Sequence, residues 1–243
     1  MKTSFQWFQH FQHNLTIQRI HWQQRPQLTM RERKVILKSL KAWQLGETSE
    51  GENLIKAATR YAWRIRDSDY VDAVRLFIKE EQKHGNNLGM YLDAINQPRI
   101  QKDLGDSAFR KFRHFCSSME AWTLTVIIIE STAQIFYQAL KDATRCELLQ
   151  QICTDILIDE AYHITFQTER LAVIFDNRSS FGKVWRKAFY KCFFFATSLV
   201  VWFAHKKLFK AGGNTFAGFL RKMNFKYQKT INQITTPFLV ELA

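Results

Sequence analysis

Glycine and proline are scarce in this chain, nine and three among 243 residues. With so few turn-formers and little Val/Thr alternation, a fold of many short strands is excluded and a mostly helical protein is expected. The cysteines, Cys116, Cys146, Cys153 and Cys192, include no Cys-x-x-Cys pair. They give no close framework and fit a reducing compartment in which thiols serve as small core residues. The amino terminus lacks a continuous apolar run: Lys2 is followed by Ser, Gln and His among aromatics, so no signal peptide is expected. Acidic residues are almost missing from the last quarter. From Arg178 onward twelve Lys/Arg face Glu241 alone, which accounts for +11 of the net +13. The rest of the chain is close to neutral, and the basicity belongs to a tail. With 46% hydrophobic residues, the chain can bury a full core as one domain with appendages.

The chain does hold a repeated spacing of acid and histidine. Glu81-x-x-His84 lies in a segment whose same-face neighbours are Val74, Phe77, Ile78 and Leu88, and Glu160-x-x-His163 lies among Cys153, Ile156, Leu157, Ile164 and Leu171. Residues three apart share a helix face, so each motif offers a carboxylate oxygen and an imidazole nitrogen to one ion. Acids and histidines in an apolar stripe need a partner, because unpaired burial is costly.

Each motif has a glutamate about one helical hairpin upstream. Glu50 precedes Glu81 by 31 positions and Glu130 precedes Glu160 by 30, and the two halves are offset by 80, 79 and 79 positions. Glu130, within Val126-Ile-Ile-Ile-Glu-Ser-Thr-Ala, has the most apolar surroundings of any acid in the chain. Glu50 shares a face with Leu54, Ala57, Ala58 and Tyr61, whereas Glu52 falls with Lys56, Arg60 and Trp63. Glu47, one turn earlier on nearly the same face, is the reserve for this position.

Over about residues 46–175 this pattern resembles the ferritin-like di-iron carboxylate superfamily, in which two helices each give a Glu and two others each give Glu-x-x-His. The resemblance implies an all-α, ferritin-like four-helix bundle with amino- and carboxy-terminal helical extensions. It implies metal ligands Glu50, Glu81, His84, Glu130, Glu160 and His163. The acid before each motif commonly serves the opposite histidine in the superfamily, which implies the pairs Glu80 with His163 and Asp159 with His84. A solvated position for Glu80, among Lys79, Gln82 and Lys83, is the competing description. Tyr61 and Tyr137 lie on or near ligand faces, as redox-active groups or as core aromatics holding a second carboxylate.

Taken in order, residues 1–45 form an amino-terminal helical extension, 46–176 the bundle and 177–243 a basic, aromatic-rich helical extension. In the first part, Phe5, Phe8 and Phe11 form a possible stripe and Thr29 caps a helix containing Val35, Ile36, Leu37, Leu40 and Trp43. The bundle helices are expected at about 47–66, from about 69 to before Pro98, 118–143 and 147–175, with Ser68 or Asp69 capping the second. Residues 96–118 are long enough to cross back along the bundle. A helix over 184–209 is expected to cover the bundle or an oligomer partner with Phe189, Phe193, Phe194, Val200 and Phe203. An in-plane membrane helix comes second, and a membrane span third, because the apolar core is shorter than roughly 20 residues. A basic amphipathic helix follows Ala211-Gly-Gly-Asn214.

Four carboxylates and two histidines carry a formal charge of −4, matched by two divalent ions. Mixed oxygen and imidazole donors suit two iron ions, or manganese, better than zinc. The leading expectation is a non-haem oxidoreductase acting on dioxygen or peroxide with a reductant the sequence does not identify. The alternative is a non-catalytic metal-binding bundle docked on anionic membrane or RNA through its basic tail. A homo-oligomer is a further candidate partner, and the expected location is the cytoplasm, free or peripheral to a membrane.

Overall fold

The computed structural model describes residues 1–102 and 118–236. Among these residues there are eight helices and no strand: α1 (Ser4–Asn14), α2 (Met30–Glu47), α3 (Glu52–Ile65), α4 (Asp69–Ala94), α5 (Met119–Asp142), α6 (Glu147–Asp176), α7 (Ser180–Ala211) and α8 (Phe216–Thr235). Four columns make the bundle: the broken pair α2–α3, then α4, α5 and α6. The crossing segment expected over 96–118 lies mostly outside the described residues, as does Cys116.

The first column departs from expectation. The helix that begins at the Thr29/Glu32 capping box runs on past residue 45 to Glu47. It ends where Thr48 turns out of helical geometry, with both its backbone N–H and its hydroxyl donating to the Leu45 carbonyl. Gly51, at φ +67°, then opens α3. A side chain there would suffer the left-handed backbone, and its Cβ would come within 2.5 Å of Ile78. The expected helix over 47–66 is therefore two elements, and the division expected after residue 45 falls inside α2.

The terminal segments pack onto this frame. α1 lies on α4 and buries Ser4, Trp7, Phe11 and Asn14, so its inward stripe is shifted from the expected one, with Phe5 half exposed. The shift follows from Trp7, whose indole N–H donates to Glu169 Oε2 at 2.7 Å while its ring packs on Phe11 and Phe166. At α4 Ser68 takes the expected N-cap position, but its side chain makes no cap bond, and Asp67 Oδ1 accepts the Tyr70 N–H instead. α7 crosses α5 and α2, and α8 packs on α7 and α6. The inner face of α7 buries Tyr190, Phe194, Ser198, Trp202, Leu208 and Phe209, and the helix kinks at His205. Of the residues expected to be covered, Phe194 is buried and Phe193 partly so, but Phe189, Val200 and Phe203 stay exposed.

Candidate metal centre

Six side chains from four helices meet in the bundle interior. Glu47 comes from the last turn of α2, Glu81 and His84 from α4, Glu130 from α5, and Glu160 and His163 from α6. They form two overlapping groups whose donor atoms lie within 4.8 Å of one another: Glu81, Glu130, Glu160 and His163 in one, and Glu47, Glu81 and His84 in the other. Glu81 belongs to both. His84, His163 and Glu160 are fully buried, and Glu47 and Glu130 nearly so.

Of the two candidates from the first column, Glu47 and not Glu50 reaches the cluster. Glu50 sits in the turn after α2 with an exposed side chain. The physical reason is the helix break, because a face extrapolated back from α3 through Gly51 does not continue into α2. Gly85, beside His84, lets the end of α2 approach. A Cβ on Gly85 would stand 3.1 Å from both the carbonyl carbon and the Cβ of Glu47. Gln44 also donates to the Gly85 carbonyl at 3.3 Å. Glu47 then turns inward, where the Tyr137 hydroxyl donates to its Oε1 at 2.5 Å.

Each histidine is held from behind. His84 Nε2 lies 3.0 Å from Asp159 Oδ2, and His163 Nε2 lies 2.8 Å from Glu80 Oε2. An ionised carboxylate only accepts, so each Nε2 carries the hydrogen and each Nδ1 turns to the centre. Glu80 is thus fully buried rather than solvated. Neither Nδ1, nor either oxygen of Glu160, makes a well-formed hydrogen bond, and His163 Nδ1 stands 2.7 Å from Glu81 Oε1 inside the cluster. Buried polar atoms without partners are rare and costly, and here they converge. The residues present fit two divalent ions, which would satisfy all of them.

Electrostatics point the same way. Burial, then the charges of Glu81 and Glu160, pushes the Glu47 carboxyl well above the usual range. Burial followed by Glu160 and Glu81 does the same to Glu130. For His163 burial works downward but is overcome by Glu81 and Glu160, which raise it. Glu81 is held at about 2 because His163 outweighs the upward effect of burial. Without cations the carboxylate excess is relieved by protons, which metal ions replace.

Two residues absent from the sequence reading complete the surroundings. The Asn14 side-chain amide nitrogen donates to Glu80 Oε1 at 2.7 Å and to Asp159 Oδ1 at 2.8 Å, joining both histidine-holding acids. Arg19 donates to Asp155 at 2.7 Å and Asp159 at 3.0 Å, and also to Asn14. The available signal was Asn14 at the end of the Ser4–Trp7–Phe11 stripe. Tyr61 is elsewhere: it packs edge-on against Tyr70 at 5.7 Å and beside the Arg170 guanidinium at 5.5 Å, in the smaller aromatic core. It sits on α3, beyond the break that misplaced Glu50.

A cavity of about 690 Å³ reaches the carboxylate side of the centre. Glu47, Glu81 and Glu130 line it together with Phe77, Ile78, Trp122, Val126 and Ile129, and its outer part is bounded by Glu50 and by Val200, Ala204 and His205 of α7. His205 lies at the kink, paired with Ser39 through Nδ1 at 3.0 Å, six residues before the helix end rather than at it.

No protein-family model matches this chain, and no curated protein matches it. Solved structures of R2-like ligand-binding oxidases do. A variant with an aerobically reconstituted Mn/Fe cofactor superposes with TM-score 0.66 at 16% identity, over 96% of this chain and 94% of that one. Another, with an anaerobically reconstituted Mn/Fe cofactor, gives 0.67 at the same identity and coverage. A third, carrying an aerobically reconstituted Fe/Fe cofactor, gives 0.63, again at 16% identity over 96% and 94%. The fold of this chain is thus the ferritin-like helical bundle of the R2-like ligand-binding oxidases.

Proposed function

We propose that the chain is a dinuclear non-haem oxidoreductase, with two irons, or iron with manganese, held by Glu47, Glu81, His84, Glu130, Glu160 and His163. The carrying observation is the pair of donor groups sharing Glu81, in which neither imidazole Nδ1 nor either Glu160 oxygen has a hydrogen-bond partner outside the cluster. The structural neighbours with Mn/Fe and Fe/Fe cofactors support the choice of metal. When bound, such a pair supplies two-electron reduction of dioxygen or peroxide.

The protein's own part is binding, orientation and exclusion of water. Glu80 and Asp159 fix the ring orientation and tautomer of His163 and His84, the usual task of carboxylates behind ligand histidines. Tyr137 holds Glu47 by its Oε1. Phe11 and Phe166 close the histidine side against solvent, and Phe77, whose ring lies 4.7 Å from that of His163, packs on them and also lines the cavity. The cavity approaches from the opposite, carboxylate side, and its apolar walls suit a small or elongated organic substrate with one oxidisable end near Glu47, Glu81 and Glu130. Oxygen uptake by anaerobically iron-loaded protein tests this reading. Consumption that scales with bound iron and stops in Glu130→Ala is expected. Loaded protein that takes up no oxygen, with or without a reductant, would overturn it.

A further inference from the structure

Helix α7 is long and apolar enough to cross a membrane, yet only 22% of its most apolar window is buried. The uncovered part is a single outer face. Phe181 is 85% exposed, Trp185 66%, Phe189 54%, Phe195 55%, Val200 66% and Phe203 61%. At 100° per residue these positions, with Ala188, Cys192 and Ala196 between them, make one stripe along six turns. Lys191 borders the stripe, and exposed Lys206, Lys207 and Lys210 continue it at the carboxy-terminal end. No acid occurs between Asp176 and Glu241. An uninterrupted apolar face of this extent marks a contact surface on a folded protein.

We infer that this face of α7 seats on an anionic phospholipid bilayer, with the helix lying in the plane of the surface. Its apolar stripe enters the headgroup–acyl boundary while the lysines engage lipid phosphates, the division of labour of interfacial helices. Trp185 has the amphipathic ring favoured at that depth. The helix does not span the bilayer, because its other face is committed to the protein. There Arg186 and Tyr190 both donate to Glu120 of α5, and Trp202 packs on Phe219 of α8. A second copy of the chain is a poor occupant. Twofold packing of α7 on α7 sets lysines against apolar groups or other lysines, with no acid to meet them. RNA would use the lysines but leave the aromatic stripe uncovered. The placement also has a consequence for the cavity: exposed Val200 and Ala204 are among its lining residues, which sets that part of its wall beside the bilayer.

Flotation of the full chain with phosphatidylcholine vesicles, with and without phosphatidylglycerol, tests the inference at low and high salt. Binding to the anionic vesicles that weakens with salt is expected. Each basic side chain near such a surface is worth about a fivefold preference, so the triple change Lys206→Ala, Lys207→Ala, Lys210→Ala should weaken binding on the order of a hundredfold. Phe181→Gln with Trp185→Gln should weaken it independently. All five residues are solvent-facing, so unchanged circular dichroism reports intact folding. Four outcomes overturn the inference: no flotation; release from membranes by detergent only; a concentration-dependent dimer that the Phe181 and Trp185 changes dissociate; or salt-sensitive tRNA binding without vesicle binding. Running metal-free and metal-loaded protein in parallel separates this result from the fate of the dinuclear reading.

Discussion

At the scale of single residues, the centre depends as much on what lies behind the histidines as on the ligands. Glu80 and Asp159 are buried acids that each hold one histidine and are joined by one amide nitrogen of Asn14. Loss of a carboxylate behind a ligand histidine typically costs roughly 10–100-fold in metal affinity. Glu80→Gln is therefore expected to weaken iron binding by that factor in a competition titration while leaving the melting curve cooperative; unchanged affinity would mean His163 needs no such support. Asn14→Ala removes the donor shared by two buried oxygens. Glu80 Oε1 loses its donor while Asp159 Oδ1 keeps Arg19; one group left short costs about 1–3 kcal/mol, so denaturant unfolding of the metal-free protein should show a loss in that range. A variant as stable as wild type would show that water replaces the amide at no cost. Asn14 was hidden from sequence reading because its partners lie 66 and 145 residues away, and no local pattern encodes such a contact.

At the scale of elements, three of the four helices that meet at the centre, α4, α5 and α6, were legible from apolar periodicity and the repeated Glu-x-x-His, whereas α2 was legible as a helix from its Thr29 cap but was assigned to the amino-terminal extension. The exact ligand on the first column was not legible. Near-constant spacing favoured Glu50, but that regularity presumes an unbroken helix through residues 47–66. The break depends on tertiary contacts, namely Gly51 beneath Ile78 and Gly85 against Glu47. Gly85→Ala tests this placement. Alanine is the better helix former by about 1 kcal/mol, but its Cβ would press on the Glu47 backbone at 3.1 Å. Metal affinity is expected to fall with little loss of helix content, and a variant that binds metal like wild type would show that α2 yields freely.

The anchoring of α7 to α5 offers a second element-scale test. Glu120, mostly buried, accepts from Arg186, from Tyr190 at 2.7 Å and from Arg178 at 2.6 Å. Burial acts to raise its pKa, but Tyr190 and Arg186 outweigh it and hold the carboxyl below its ordinary 4.5. A depressed carboxyl stabilises the fold fully above its unfolded pKa and loses that contribution as pH falls through the folded value. Glu120→Gln should therefore be less stable than wild type at neutral pH by about 1.5–3 kcal/mol, the range for hydrogen bonds to a charged group. The gap should close as the buffer is taken below pH 4.5. Equal stability at neutral pH would assign the docking of α7 to its aromatic contacts alone.

For the whole molecule, the all-helical bundle followed from composition and periodicity, since burial of helical stripes is a local instruction repeated along the chain. The outer face of α7 did not follow. Sequence shows that a segment is apolar, but its packing on one side and exposure on the other is settled by where the rest of the chain ends up. The same holds for the cavity, whose walls come from α2, α3, α4, α5 and α7 together.

The central claim is that two metal ions are held by six residues, with Glu47 and not Glu50 from the first column. Its most direct test is metal stoichiometry after anaerobic iron loading and desalting, measured by elemental analysis with Mössbauer spectra, on wild type, Glu47→Ala and Glu50→Ala. Two irons per chain are expected in wild type and in Glu50→Ala, with the spectrum of a coupled pair after exposure to oxygen, and fewer than two in Glu47→Ala. One iron or none in wild type would contradict the dinuclear centre, and loss of iron from Glu50→Ala with retention in Glu47→Ala would contradict its composition.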